Sequence, residues 1–141
     1  MNRTFLGFDY GERHTGVAVG STFSGMAQPL AVLAAKGANP DWDGIDRLVA
    51  EWRPDGLVVG LPLNMDGSAN RITRAARAFG ESLRARYNLP VHMADERLSS
   101  RAATDTLLEA RVPLKQHKHH IDKLAAQTIL QAFLNEQQGD V

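Results

Sequence analysis

Cysteine is absent from the 141 residues, which excludes disulfides and any thiolate zinc site. Long apolar runs are absent too. No stretch approaches the roughly 20 residues needed to span a bilayer, and the N-terminus lacks the apolar segment of a secretion signal. A cytoplasmic location without a membrane partner is the expectation. Net charge is also missing, since 16 basic and 16 acidic residues cancel. What remains is an ordinary globular composition, 43% apolar and 23% charged, in a chain expected to form one domain over residues 1–141 with a real core.

The charge that is present falls unevenly. Residues 1–70 hold five Lys/Arg against eight Asp/Glu, residues 71–123 eleven against six, and residues 124–141 none against two. A basic second half beside an acidic first half suits a protein that holds a phosphate backbone and a divalent cation together. Solvated arginine-rich helix faces would give the same count.

Residues 5–20 read as a strand, a glycine-bearing turn and a returning strand. Asp9 falls at the tip of the first strand, which the alternation of Leu6 and Phe8 with Phe5 and Gly7 makes central. A charged carboxylate there needs a cation or a hydrogen-bond donor; alternatively, it caps its own turn. A third strand follows over Ala27–Leu33. Asn39-Pro40-Asp41 starts a helix whose apolar face is Ile45, Leu48, Val49 and Trp52, and Pro54 ends it. Leu57-Val58-Val59 then reads as a buried parallel strand.

The long loop from Gly60 to Ser68 leaves that strand's carboxyl end, where loops often carry function. The next helix, about Asn70 to Tyr87, has a predicted buried stripe of Ile72, Ala75, Ala76, Phe79 and Leu83, with Arg71, Arg74, Arg77, Arg84 and Arg86 elsewhere on its surface. Val91–Ala94 forms a fifth strand ending in Asp95-Glu96-Arg97, and Ser99 or Ser100 caps a helix through Ala110. Arg111–His120 is basic, contains a proline and lacks periodicity, so a mobile loop is expected. A last helix is expected over Ile121–Asn135, with a tail fraying from Glu136. The sum is an α/β fold with a mixed five-stranded sheet flanked by helices. Right-handed crossovers would make the later strands parallel to the first and open their carboxyl ends on one side.

Three acids map to that edge: Asp9 after strand one, Glu96 after strand five, and Asp122 at the start of the last helix. Asp122 shares a stripe with Ala126, Ile129 and Phe133 at +4, +7 and +11. It is either a dipole-stabilising first-turn residue or a metal ligand. Converging carboxylates repel, and a hard cation such as Mg²⁺ or Mn²⁺ with oxygen ligands relieves this. One or two such ions can drive phosphodiester hydrolysis. Asp95 should point away from Glu96. Arg97 either neutralises a phosphate or pairs with the acids. His119 is a possible ligand or acid–base group, or joins His117, His120, Lys115 and Lys118 in a basic loop near phosphates.

Phe8-Asp9-Tyr10-Gly11 through Gly16-Val17-Ala18-Val19-Gly20, Val59 through Gly67, Asp95-Glu96-Arg97-Leu98-Ser99, and Ile121-Asp122-Lys123-Leu124-Ala125-Ala126 resemble, in order, the motifs of the YqgF (RuvX) family. The resemblance implies a ribonuclease H-like fold, a nuclease maturing the 5′ end of pre-16S ribosomal RNA, and kinship with Holliday-junction resolvases. Carried over by position, Asp9, Glu96 and Asp122 form its acidic, metal-holding site. In the resolvases, strand four ends near a catalytic carboxylate. Here Gly60-Leu61-Pro62 stands in that place, so the second acid must come from strand five. The leading expectation is therefore a Mg²⁺- or Mn²⁺-dependent endonuclease on structured RNA, a monomer or weak homodimer. Arg71, Arg74, Arg97, Lys115 and Lys118 would grip the backbone, with Asn64 and Ser68 either contacting nucleic acid or bracing their loop. Alternatives are a DNA junction resolvase, an actin-like nucleotide binder suggested by Asp9-x-Gly11 and Gly16, and a catalytically silent RNA-binding assembly factor.

Overall fold

The computed structural model describes residues 2–96 and 114–139, with the backbone alone at 114–123 and 138–139. Its strands are β1 (Thr4–Asp9), β2 (His14–Ser21), β3 (Ala27–Ala34), β4 (Gly56–Leu61) and β5 (Val91–Asp95). Its helices are α1 (Trp42–Trp52), α2 (Arg71–Tyr87) and α3 (Leu114–Gly139). The strands form one sheet in the order β3-β2-β1-β4-β5. β1 pairs antiparallel with β2 and parallel with β4, so β1 is the middle strand. Apolar β-branched and aromatic side chains make these short segments strands, and the two faces of each pleat separate them into two cores.

On one face Phe5, Ala18, Ala27 and Val58 pack under Ala126, Ile129, Leu130, Phe133 and Leu134 of α3. On the other, Leu6, Phe8, Val17, Val19, Leu57 and Val59 pack under Ile45 of α1 and Phe79 and Leu83 of α2. Gly7 is what lets α3 lie so close to β1. A Cβ at that position would stand 2.8 Å from the Leu130 Cβ and 3.4 Å from the Ala126 carbonyl oxygen. The helix is held against β3 as well, where the Ala27 N–H donates to Gln131 Oε1 at 2.9 Å. Among the described residues, no helix is long and apolar enough to cross a membrane.

Helix ends follow their local chemistry. Asp41, after Pro40, caps α1 by accepting from the Gly44 N–H at 3.1 Å. Left-handed Arg53 closes the helix before Pro54. Asn70 and Thr73 form a reciprocal capping box on α2, and left-handed Asn88 ends it.

Three sequence expectations are corrected. The buried residues of α2 are Thr73, Ala76, Phe79, Gly80 and Leu83, while Ile72 and Ala75 are only half-buried. Thr73 is drawn inward because its hydroxyl donates to the Pro62 carbonyl. Residues 114–120, expected in a loop, are the opening turns of α3. They follow directly on Pro113 in sequence, and a helix commonly starts just after a proline, with Leu, Lys and Gln sustaining it. The tail expected from Glu136 is helical to Gly139. The helix expected over 99–110 lies outside the described residues.

Candidate active site

The alternation of β1 decides where Asp9 points. Phe5 lies in the core beneath α3, Gly7 abuts Leu130, and Asp9 shares their parity, so it emerges on the α3 side of the sheet. The same rule sorts β5. Val91 and Met93 border Gly80 of α2, and Asp95 shares their parity. His92 packs against Phe133 and Ala94 joins the α3 core, so Glu96, next in that series, falls on the α3 side with Asp9. Glu96 is anchored by its N–H, which donates to the Leu61 carbonyl at 3.2 Å.

Glu96 is 8% exposed, a rare state for a carboxyl. Its side chain lies over Gly60 of the intervening strand. A Cβ on Gly60 would stand 2.7 Å from Glu96 Cδ, 2.8 Å from its Cγ and 2.6 Å from Ile129 Cδ1. Lying over that bare backbone, Glu96 reaches β1 and hydrogen-bonds the Asp9 side chain. Burial pushes the Glu96 carboxyl above its ordinary range, the bond to Asp9 opposes that shift, and the charge of Asp95 adds to it. Two carboxyls in contact must share either a proton or a cation. This all-oxygen donor set, half out of solvent, fits a hard divalent ion.

Asp122 comes from α3. Leu134 lies against Gly20, which pairs with Phe5, and Leu130 lies against Gly7, so α3 runs antiparallel to β1. From Ala126 back to residue 122 the helix rises about 6 Å, and from Gly7 to Asp9 the strand advances about 6.6 Å. The backbone at residue 122 therefore comes to about the level of Asp9, one turn beyond the buried stripe Ala126, Ile129 and Phe133. The Asp122 side chain is outside the described residues, as are those of Lys115, Lys118, His117, His119 and His120, and the whole of Arg97. Among the described residues no three metal-binding side chains form a cluster.

Arg71 and Arg74 are both exposed on the first turn of α2, which follows the β4 loop. Arg71 forms an ion pair with Glu12 in the β1–β2 turn, which ties the helix start to the turn that follows Asp9. Arg86 lies at the other end of α2. There Asp46 of α1 accepts from its Nε at 2.8 Å and its Nη2 at 2.7 Å, and its guanidinium stacks on Trp42 at 5.0 Å. It serves helix packing. Asn64 and Ser68 are bonded within their own loop at 3.0 Å.

Sequence reading missed Gly60, treating it only as the place where an acid was lacking. The available signal was a glycine inside an apolar strand, which marks a close approach by another group. Glu12 also went unremarked.

Comparison with known proteins bears on this geometry. A family model described as "RuvX: Holliday junction resolvase" matches residues 3–136. A protein of Aeromonas hydrophila named "Putative pre-16S rRNA nuclease" is 46% identical over 138 residues, covering 98% of this chain and 99% of its own. One from Nitrosococcus oceani with the same name is 48% identical over 136 residues, covering 96% of this chain and 89% of its own. Among solved structures, T. thermophilus RuvC in complex with a Holliday junction substrate superimposes with a TM-score of 0.58 at 18% identity, over 97% of this chain and 96% of that one. Fowlpox virus resolvase with its junction DNA gives 0.57 at 10% identity, over 95% and 98%. At such identities the likeness is one of fold, a ribonuclease H-like mixed sheet.

Proposed function

The chain belongs to the RuvX family, and on that footing we propose that it is a metal-dependent endonuclease hydrolysing phosphodiester bonds in structured RNA, at the 5′ end of pre-16S rRNA. The observation that carries this reading is the Asp9–Glu96 pair. Two carboxyls from strands separated by a third are brought into contact over a glycine, one of them 8% exposed. A fold does not bury such a pair for stability, because desolvating carboxylates is costly.

In this reading Asp9, Glu96 and Asp122 hold Mg²⁺ or Mn²⁺. The ion would supply charge neutralisation at the phosphate and acidify a water for attack. The chain's own residues do the rest. The buried end of the sheet keeps bulk water from Glu96, which strengthens electrostatics at the site. Arg71 and Arg74 receive backbone phosphates, with Arg97, Lys115 and Lys118 completing the basic rim. Such contacts position the substrate without reading its sequence, and binding should weaken steeply with salt.

The names of the relatives support pre-16S rRNA as substrate, whereas the family's description supports a four-way DNA junction as a second reading. Cleavage of both, in competition, by the full-length protein with Mg²⁺ or Mn²⁺ separates them. Preferential cutting of the precursor RNA is expected. Asp9→Asn and Glu96→Gln should each lower the rate by about a hundred- to a thousandfold, the scale of removing a principal electrostatic group. Cutting at the parental rate by either variant would remove the site assignment.

A further inference from the structure

Asp9 stands at the end of the middle strand among glycines. Its antiparallel register with β2 reaches Gly16, whereas the parallel register with β4 stops one residue earlier, at Phe8 opposite Val59. Gly7 precedes Asp9 on the same face, and Gly60 is the next residue of β4. On the α3 side these neighbours in β1, β2 and β4 therefore surround Asp9 with backbone rather than with side chains. A carboxylate that holds a cation needs its own backbone fixed by packing around it, and at this strand end that packing has to come from the other face.

The adjoining residue supplies it. Tyr10 is one peptide beyond Asp9, about 3.8 Å between Cα atoms, and alternation turns its ring into the opposite core. There it lies on Phe79 of α2, with ring centroids 5.0 Å apart and planes tilted by 33°. Phe79 is 4% exposed. It meets the Phe8 ring edge-on at 5.7 Å and lies against Trp42 of α1 at 5.8 Å. The Arg86 guanidinium covers Trp42 at 5.0 Å and is itself gripped by Asp46. Tyr10 thus rests on a column of rings whose far end is tied to both helices. Such contacts hold geometry, because aromatic pairs favour a narrow range of separation and tilt.

We propose that Tyr10 is the positioning residue of Asp9. Its contact with Phe79 fixes the end of β1 from the α2 side, and so keeps the Asp9 carboxyl in place against Glu96 on the α3 side. The ring does this, and the hydroxyl takes no part. The carboxyl pair is the cation site of the nuclease reading, so the proposal rests on that reading and deepens it by naming what sets the spacing of its two acids.

The test compares full-length parent, Tyr10→Phe and Tyr10→Leu by two measurements, Mn²⁺ binding followed by electron paramagnetic resonance and single-turnover cleavage of the precursor RNA. Tyr10→Leu keeps an apolar side chain without the ring. It should raise the Mn²⁺ dissociation constant and lower the cleavage rate at saturating RNA, each by about ten- to a hundredfold, the scale of losing a group that orients a metal ligand. The RNA concentration giving half the maximal rate should not change. Tyr10→Phe should match the parent in every readout. Tyr10→Met, which fills the space without a ring, repeats the comparison should Tyr10→Leu not fold. A folded ringless variant with parental Mn²⁺ affinity, or one whose loss is confined to RNA affinity, overturns the proposal. An equal loss by Tyr10→Phe overturns it as well and assigns the effect to the hydroxyl. Parental protein that neither binds Mn²⁺ nor cuts RNA overturns the nuclease reading itself.

Discussion

Replacing Gly60 by alanine adds a single methyl group, and its consequences follow from three distances. The new Cβ would lie 2.6 Å from Ile129 Cδ1, 2.7 Å from Glu96 Cδ and 2.8 Å from Glu96 Cγ. Ile129 is 1% exposed and hemmed in by the α3 core, so it has little room to yield. Glu96 must therefore swing away from Asp9. Overpacking of this kind costs about 1–3 kcal/mol, which a domain of this size survives. Displacing a catalytic group by about 1 Å, however, can lower a rate by about a hundredfold. The variant should thus remain folded and lose about two orders of magnitude in cleavage.

The matching control is Gly56→Ala at the opposite end of the same strand, where the added Cβ would meet the Phe5 ring at 2.8 Å. It should show a similar stability loss with cleavage preserved. Urea unfolding measures the first quantity, and single-turnover cleavage of the precursor RNA measures the second. Gly60→Ala cutting at the parental rate would refute the claim that Glu96 acts from across β4. Equal loss by both variants, after correction for folded fraction, would refute it too.

Further predictions concern the supports of the site. Asn70→Ala removes the acceptor for the Thr73 N–H at 3.0 Å, so urea unfolding should show a loss of about 1 kcal/mol. Glu12→Gln releases Arg71 from its ion pair and should tighten RNA binding at low salt. Arg71→Ala should weaken binding and reduce the salt slope by about one, both read by fluorescence anisotropy. The hydrogen bond from Arg86, then that from Tyr87, holds the Asp46 carboxyl at about 2. Because the folded value lies below the unfolded one, this stabilisation is present above about pH 4 and is lost as pH falls toward 2. The groups are exposed, so the effect is small. Urea midpoints between pH 5 and 2.5 should fall more steeply for the parent than for Asp46→Asn.

Much of the site's placement was legible in the residues. The alternation through Phe5, Leu6, Gly7 and Phe8 set the face of Asp9, and the parity of Val91 through Glu96 separated Asp95 from Glu96. These are period-two patterns, which a strand preserves wherever it pairs. What escaped was the room between strands. Nothing local to Gly60 says that a side chain from the end of the neighbouring strand will lie over it, because that depends on the β4–β5 register, Leu61 opposite Asp95. Thr73 was hidden for a similar reason, its burial being set by the Pro62 carbonyl eleven residues earlier. The start of α3 was misread because Lys115–His120 is polar all round, and apolar periodicity is silent where a helix has no apolar stripe.

The most direct test of the account is a Mn²⁺ titration of full-length protein followed by electron paramagnetic resonance, for the parent, Asp9→Asn, Glu96→Gln and the double variant. If the two carboxyls hold one ion, the parent binds Mn²⁺ saturably. Either single substitution then abolishes that binding, and the double is no worse than either. Saturable binding that survives both substitutions, or none by the parent, would contradict it.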